Sequence, residues 1–323
     1  MKRIIVGIFI VLYSFALLYG ESTDWMELNK QVLQLVQERK YEQALPLAEE
    51  VFKIAEETVG DSDAITVSSI KNLAIIYQNL NRYQEAESCF QRVIEIQEKN
   101  LGLDHPEVAE ALDNLALFYY NLSRYSEAES LFRRTLTIRE KSLGENHSEV
   151  AITLSNLAAT YDNLGRYPEA ETSARRILLI NERIYGSDHP EIATCLTNLG
   201  DLEVKMGHYT SAESLYQKAL SITIKFLGDH HPDVATCLNN LAYLFQTQGR
   251  YTEAEEYCQQ ALKIKESVLE PDSSAIAISR MNLAAIYDSQ GRYTEAAELY
   301  LSVLEICKTF NGNVHPIVAK CLN

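Results

Sequence analysis

The chain has 323 residues, 46% hydrophobic and 23% charged, with a net charge of −16 and only 7 prolines. Such acidity argues against binding a phosphate backbone as the main role, so no nucleic-acid partner is expected. Its field favours basic or neutral partners.

Residues 1–20 stand apart from the rest of the chain. Lys2 and Arg3 precede the apolar run Ile4 to Tyr19, broken only by Gly7 and Ser14. As a helix that run would span about 24 Å, short of a bilayer core of roughly 30 Å. A basic start and a short apolar stretch read as a secretory signal. Cleaved, it leaves a secreted or periplasmic protein; retained, it anchors the chain in a membrane through residues 4–19. Either way the rest is expected outside the cytoplasm, and without a nearby cysteine no lipid anchor is expected.

Residues 21–59 read as a degenerate capping repeat, with Lys30 and Leu35 where asparagine and tyrosine belong. From residue 60 to 323 runs an array of six repeats and a partial last one. Its landmarks are Tyr41, Tyr83, Tyr125, Tyr167, Tyr209, Tyr251 and Tyr293, and Tyr41 and Tyr83 stand 42 positions apart, as does every later pair. Ala44 to Ala296 keep the same step. A strict period of this length means stacked supersecondary units rather than one globular core.

Each unit holds two helices. In the unit from Leu101 to Leu143, Val108, Leu112, Leu115, Tyr119 and Leu122 form one apolar stripe, with Asp104 and Glu107 as a capping box and Pro106 in the first turn. Ala128, Phe132, Leu136 and Ile138 are the inner side of the second helix, which closes at Leu143-Gly144, where glycine suits a left-handed cap. The fold expected is all-α, a solenoid of antiparallel helix pairs.

Leu73-Ala74-x-x-Tyr77 followed by Ala86-x-x-x-Phe90 resembles the tetratricopeptide pattern. The long form of the unit, with Asp104-His105-Pro106, Asn114-Leu115-Ala116 and Arg124-Tyr125, resembles the repeats of kinesin light chains. The resemblance implies a right-handed superhelix whose first helices line a concave groove that takes extended peptides. The heptad segment by which light chains join their motor is missing, so a motor subunit is not expected.

Candidate chemistry is sparse. Cys195, Cys237 and Cys321 share one repeat position, and packed helices about 8–10 Å apart hold α-carbons too far apart for a disulfide. With Cys89, Cys258 and Cys307 they read as small core residues. His105, His147, His189, His231 and His315 read as turn residues at repeat junctions, too far apart to share a zinc ion. No cofactor, metal or catalytic constellation is expected, and the chain reads as a non-enzyme.

One row could carry function. Asn72, Asn114, Asn156, Asn198, Asn240 and Asn282 recur beside the apolar stripe, while their neighbours in the row change. Those neighbours include Asn121, Asn163, Lys205 and Tyr243. A carboxamide both donates and accepts, so it can pair with a peptide main chain of any sequence. The other reading is that the ladder bonds the next helix and holds the register. Only Lys205 is basic in the row, so a clamp for an acidic peptide tail is not expected.

Glu203 stands where the core tyrosine belongs, with Gly200 for alanine and His208 for arginine. That implies a rotated helix or a slot open to a ligand; Arg280 in a leucine slot is a milder departure. The function expected is an adaptor for a protein or peptide ligand. The alternative is a structural assembly protein that oligomerises. Val303, Leu304 and Ile306 would need a cover that Ile317 to Leu322 barely supply, which implies a homodimer through the C-terminal end.

Overall fold

A computed structural model describes residues 23–311, and its chain folds into α-helices alone there. The signal-like residues 1–20, Ile317 to Leu322, His315 and Cys321 lie outside the described residues, as does the side chain of Cys307. The first pair is α1 (Thr23–Gln37) and α2 (Tyr41–Val59), followed by α3 (Ala64–Asn79) with α4 (Tyr83–Leu101) and α5 (Pro106–Asn121) with α6 (Tyr125–Leu143). Next come α7 (Ser148–Asn163) with α8 (Tyr167–Tyr185) and α9 (Pro190–Lys205) with α10 (Tyr209–Leu227). Last are α11 (Pro232–Thr247) with α12 (Tyr251–Val268) and α13 (Ser274–Ser289) with α14 (Tyr293–Asn311). Contacts divide the chain into two compact units, unit 1 ending at Ser142 and unit 2 beginning at Leu143.

The recurring alanine lies on the buried face of each second helix. Ala44, Ala86 and Ala128 in unit 1, and Ala170, Ala212 and Ala254 in unit 2, are fully buried. On α5 the expected stripe is buried from Val108 to Tyr119. On α6 Thr135, rather than Leu136, is the fully enclosed side chain, and its hydroxyl donates to the Ala109 carbonyl.

The helix starts correct the capping-box expectation. The N-cap of α5 is His105, whose Nδ1 accepts the backbone N–H of Glu107 at 3.2 Å. His147, His189 and His231 cap α7, α9 and α11 in the same way. Asp104 instead pairs with Lys141. At the helix ends Gly102, Gly186 and Gly228 have φ of 84–88° with ψ of 161°. That is the mirror-extended region rather than the left-handed helical well, and it is essentially closed to side chains with a Cβ.

In most repeats a second turn is held by a cation–π stack. Arg124 lies 4.1 Å from the ring centre of Tyr119, Arg166 4.7 Å from Tyr161 and Arg292 3.9 Å from Tyr287. The tyrosine and arginine are five residues apart, so the stack staples the end of a first helix to the start of the second.

The cysteines have a structural place. Asn181 Nδ2 donates to Cys195 Sγ at 3.3 Å, and the Thr223 hydroxyl meets Cys237 Sγ at 3.6 Å. One step on, Lys265 Nζ donates to Ser279 Oγ at 2.9 Å. The first three repeats of unit 2 thus each place one polar pair between the second helix and the next first helix. Cys89, Cys195, Cys237 and Cys258 are all unpaired.

On α14, Val303 and Ile306 pack into a cluster with Ile276 and Ala277 of α13. They face their own repeat, and it is Leu301, 62% exposed, that stays open. This corrects the expectation that Val303 and Ile306 wait for a cover.

Candidate functional site: the first-helix face

In each unit the first helices lie side by side. Lys71 of α3 reaches Glu110 of α5, Lys205 of α9 reaches Asp162 of α7, and Gln246 of α11 reaches Ser289 of α13. The apolar stripe turns these helices inward against their partners, and the asparagine row is what remains between stripe and solvent.

The row separates into committed and uncommitted side chains. Asn72 donates to Asn29 Oδ1 at 3.4 Å, and Asn29 is buried on α1. Asn163 donates back to the Ala159 carbonyl at 2.8 Å, closing its own helix end. Thr247 and Ser289, at the same repeat position, do likewise. Lys205 gives both carboxylate oxygens of Asp162 a bond, at 2.6 and 2.7 Å.

The rest of the row holds no such partner. Among the described residues, Asn114, Asn156, Asn198, Asn240 and Asn282 make no side-chain hydrogen bond, though four are only half exposed. Asn198 and Asn121 are exposed, and Tyr243 shows 59% of its surface. A polar group so placed meets water in the free protein and can exchange it for a peptide group at little penalty. Unit 2 therefore presents Asn156, Asn198, Asn240 and Asn282 on successive first helices.

Sequence reasoning does not reach the means by which Glu203 is held. Its carboxylate is 3% exposed and accepts from Arg175 Nη2 at 3.0 Å. Its other oxygen lies 2.9 Å from His208 Nδ1. Arg175 on α8 also bonds Glu171 at 2.5 Å. The slot is closed by an ion network, so it is neither a rotated helix nor a ligand opening. Arg280 likewise reaches Glu266 at 2.8 Å.

Gly200 has its own cause. A Cβ there would stand 2.5 Å from the Tyr216 ring. Tyr216 is buried to 1%, and its hydroxyl donates to Asp201 Oδ1 at 2.6 Å. Burial and that carboxylate both push the phenol pKa upward.

Nothing among the described residues assembles three metal-binding side chains. Burial pushes the Cys258 thiol up to about 12 and Cys89 up to about 11, so neither supplies a thiolate at neutral pH. No described helix is long and apolar enough to cross a membrane.

Helix pairs that stack through an apolar stripe, and leave one polar row per first helix, define a helical repeat protein. The comparisons with known proteins give the family. The tetratricopeptide repeat model matches residues 28–99, 66–141, 107–178, 149–225, 204–267 and 233–309, and the chain belongs to that family. A Podosopora anserina structure of kinesin light chain nearly identical TPR-like repeats is 25% identical, with a TM-score of 0.55 over 64% of this chain and 98% of that one. A tetratricopeptide repeat protein from Parabacteroides merdae shares the fold at 18% identity, with a TM-score of 0.57, 93% of this chain and 99% of that one. Comparison with curated proteins yields no match. Repeats of this family bind protein or peptide partners, and this chain is in that general sense an interaction scaffold with kinesin light chain-like repeats.

Proposed function

We propose that the chain is a non-catalytic adaptor that holds an extended polypeptide segment on the concave first-helix face of unit 2. The observation that carries this reading is the set of exposed and half-exposed carboxamides without an internal partner, Asn156, Asn198, Asn240 and Asn282. Neighbouring helices stand about 8–10 Å apart, close to three residues of extended chain at roughly 3.3 Å each. Successive asparagines thus meet every third peptide group, while the changing neighbours read side chains. In unit 1 the row is shorter, because Asn72 is tied to Asn29 and Asn114 stands without such a tie.

The experiment is a selection of peptides from a displayed random library on the full chain, followed by titration of a selected peptide. Replacing Asn156, Asn198 and Asn240 together with alanine is expected to weaken binding at least roughly tenfold. The thermal midpoint should move by less than about 2 °C, because none of the three holds the fold. A collapsed midpoint, or a wild-type array that selects no peptide, would overturn the reading. The same reading has the array act outside the cytoplasm, on the strength of Lys2, Arg3 and the apolar run Ile4 to Tyr19. Fractionation that finds the full chain wholly soluble in the cytoplasm would reject that part alone.

A further inference from the structure

Resting on the peptide-binding function, we propose that Asp201 and Tyr243 of unit 2 form the place where a lysine or arginine side chain of the bound segment is recognised. The two residues occupy the same repeat position on α9 and α11, flanked by Asn198 and Asn240. Three observations converge on them.

The first is the charge of the face. The first helices of unit 2 carry two basic residues, and both are committed, Lys205 to Asp162 and Arg280 to Glu266. Their acidic residues are more numerous, and Asp201 has no ion pair among the described residues. The face therefore carries excess negative charge at Asp201, which Lys205 one turn away only partly offsets while it is bonded to Asp162.

The second is how Asp201 is held. One of its oxygens, Oδ1, accepts the hydroxyl of Tyr216, whose ring fills the space that Gly200 leaves open. Across the repeats this position is otherwise Ile75, Leu117, Ala159, Tyr243 and Ala285, so a carboxylate here serves no recurring packing need. A phenol from the core orients it, and its second oxygen is left for a ligand. Crowding by the surrounding protein raises the Asp201 pKa, a burden that an incoming cation relieves.

The third is the exposed ring. Tyr243 shows 59% of its surface, and the two residues before it, Leu241 and Ala242, share a core cluster with Tyr216. Asp201, bonded to that Tyr216, and Tyr243 thus stand at one repeat position on the neighbouring first helices α9 and α11. A cation over a tyrosine ring gains from the ring quadrupole while its N–H groups reach the carboxylate. A neutral side chain would gain from one of the two at most.

The test uses the same displayed library on the full wild-type chain, on Asp201→Asn and on Tyr243→Ala. Wild type is expected to select peptides with Lys or Arg enriched at one fixed position. Asp201→Asn keeps an acceptor for Tyr216, so it should fold, still select peptides, and lose that enrichment. A wild-type-selected peptide should bind Asp201→Asn roughly 10- to 100-fold more weakly, the range of one hydrogen bond to a charged group. Tyr243→Ala should weaken it by a smaller factor, and Tyr243→Phe should restore most of the loss. Wild-type peptides without basic enrichment, or an unchanged basic preference in Asp201→Asn, would overturn this inference while the peptide reading stands. An empty selection by wild type would overturn both.

Discussion

Units 1 and 2 repeat the same 42-residue frame (Tyr83 to Tyr125, Tyr167 to Tyr209) yet solve its local problems differently. The turn from first to second helix needs one residue at positive φ. Unit 1 places Arg39, Asn81 and Ser123 there, whereas unit 2 places Gly165, Gly207, Gly249 and Gly291. Unit 1 keeps its stack as Tyr77–Arg82 and Tyr119–Arg124, whereas unit 2 once replaces it with Glu203, Arg175 and His208. The polar seam of unit 1 joins Gln97 to the carboxylate of Glu107, and that of unit 2 uses neutral pairs until Lys265. The turn between first and second helix keeps its positive φ in both units, and side chains vary where a partner varies with them. In one first-helix row Ala159, Tyr243 and Ala285 change without such a partner, whereas Asp201 changes together with Tyr216.

The largest expected effect comes from breaking the network that distinguishes the fifth repeat. Arg175→Ala leaves Glu203 buried with only the exposed His208 beside it. Removing one partner of a fully buried pair costs about 3–5 kcal/mol. Arg175 is itself 53% exposed, so about 2 kcal/mol is the expectation here. In the background Glu203→Tyr with His208→Arg, which restores the unit 1 stack, the same Arg175→Ala should cost under about 0.5 kcal/mol. Denaturant midpoints of the four chains close a double-mutant cycle. Equal penalties in both backgrounds would show that Arg175 does not hold Glu203.

A smaller effect is expected at the close approach of Gly200. Its alanine counterpart in unit 1 is Ala116, which is fully buried without strain. Gly200→Ala should cost about 1 kcal/mol, the low end for overpacking, by forcing the Tyr216 ring aside. It should also blur the 2.6 Å bond to Asp201. Combining it with Tyr216→Cys, the residue that Cys258 supplies one repeat on, should remove most of that penalty. No rescue would mean that the clash is with something other than the ring.

Lys265 marks a third contrast, since its ammonium is buried where Thr223 stands one repeat earlier. Desolvation lowers its pKa from the ordinary 10.5. The unfolded chain therefore binds the proton more tightly than the native one. Between the lowered native value and 10.5 the stability of unit 2 must rise with pH, and below that window the full burden remains. Lys265→Met should flatten this rise and raise stability near neutral pH by about 1 kcal/mol. Ser279 keeps a donor in Asn239 Nδ2 at 3.3 Å, so no hydroxyl is orphaned. Urea titrations at neutral and alkaline pH test it, and an identical pH slope in both chains would refute the assignment.

How much of this is legible in the sequence depends on the range of each cause. Helix pairs and buried stripes are legible because period and apolar spacing are local and recur in every repeat. The histidine caps are hidden because Asp104 and Glu107 match a commoner capping pattern one residue away. Asn29 escapes because the degenerate first repeat aligns with Lys30 in the asparagine slot. Arg175 lies 28 positions before Glu203, at a site where other repeats carry Gln91, Arg133 and Gln217. The joint departure of Glu203 and His208 within one repeat is the available signal, and it directs a search one helix upstream for a cation. The split of the asparagine row into tied and untied members has no sequence signature, because it depends on which neighbour reaches each carboxamide.

The smallest effect sharpens the first contrast. Ser123 has φ of 59°, Gly165 has 71°, and both precede the arginine that stacks on the first helix. For a residue with a Cβ this left-handed conformation costs roughly 1–2 kcal/mol, and glycine adopts it freely. Glycine also loses more freedom on folding, which returns part of that gain. Ser123→Gly should therefore stabilise unit 1 by about 0.5 kcal/mol, and Gly165→Ser should destabilise unit 2 by a similar amount. Nothing within 4 Å would meet a Cβ at Gly165, so backbone strain alone is at stake. Amide exchange on either side of the turn resolves effects this small, because each substitution shifts the opening of its own repeat. Opposite signs at the two positions support the backbone account. Destabilisation at both would mean that the Ser123 side chain contributes a bond of its own, and the hydroxyl pair it forms with Tyr125 at 3.4 Å would be the source.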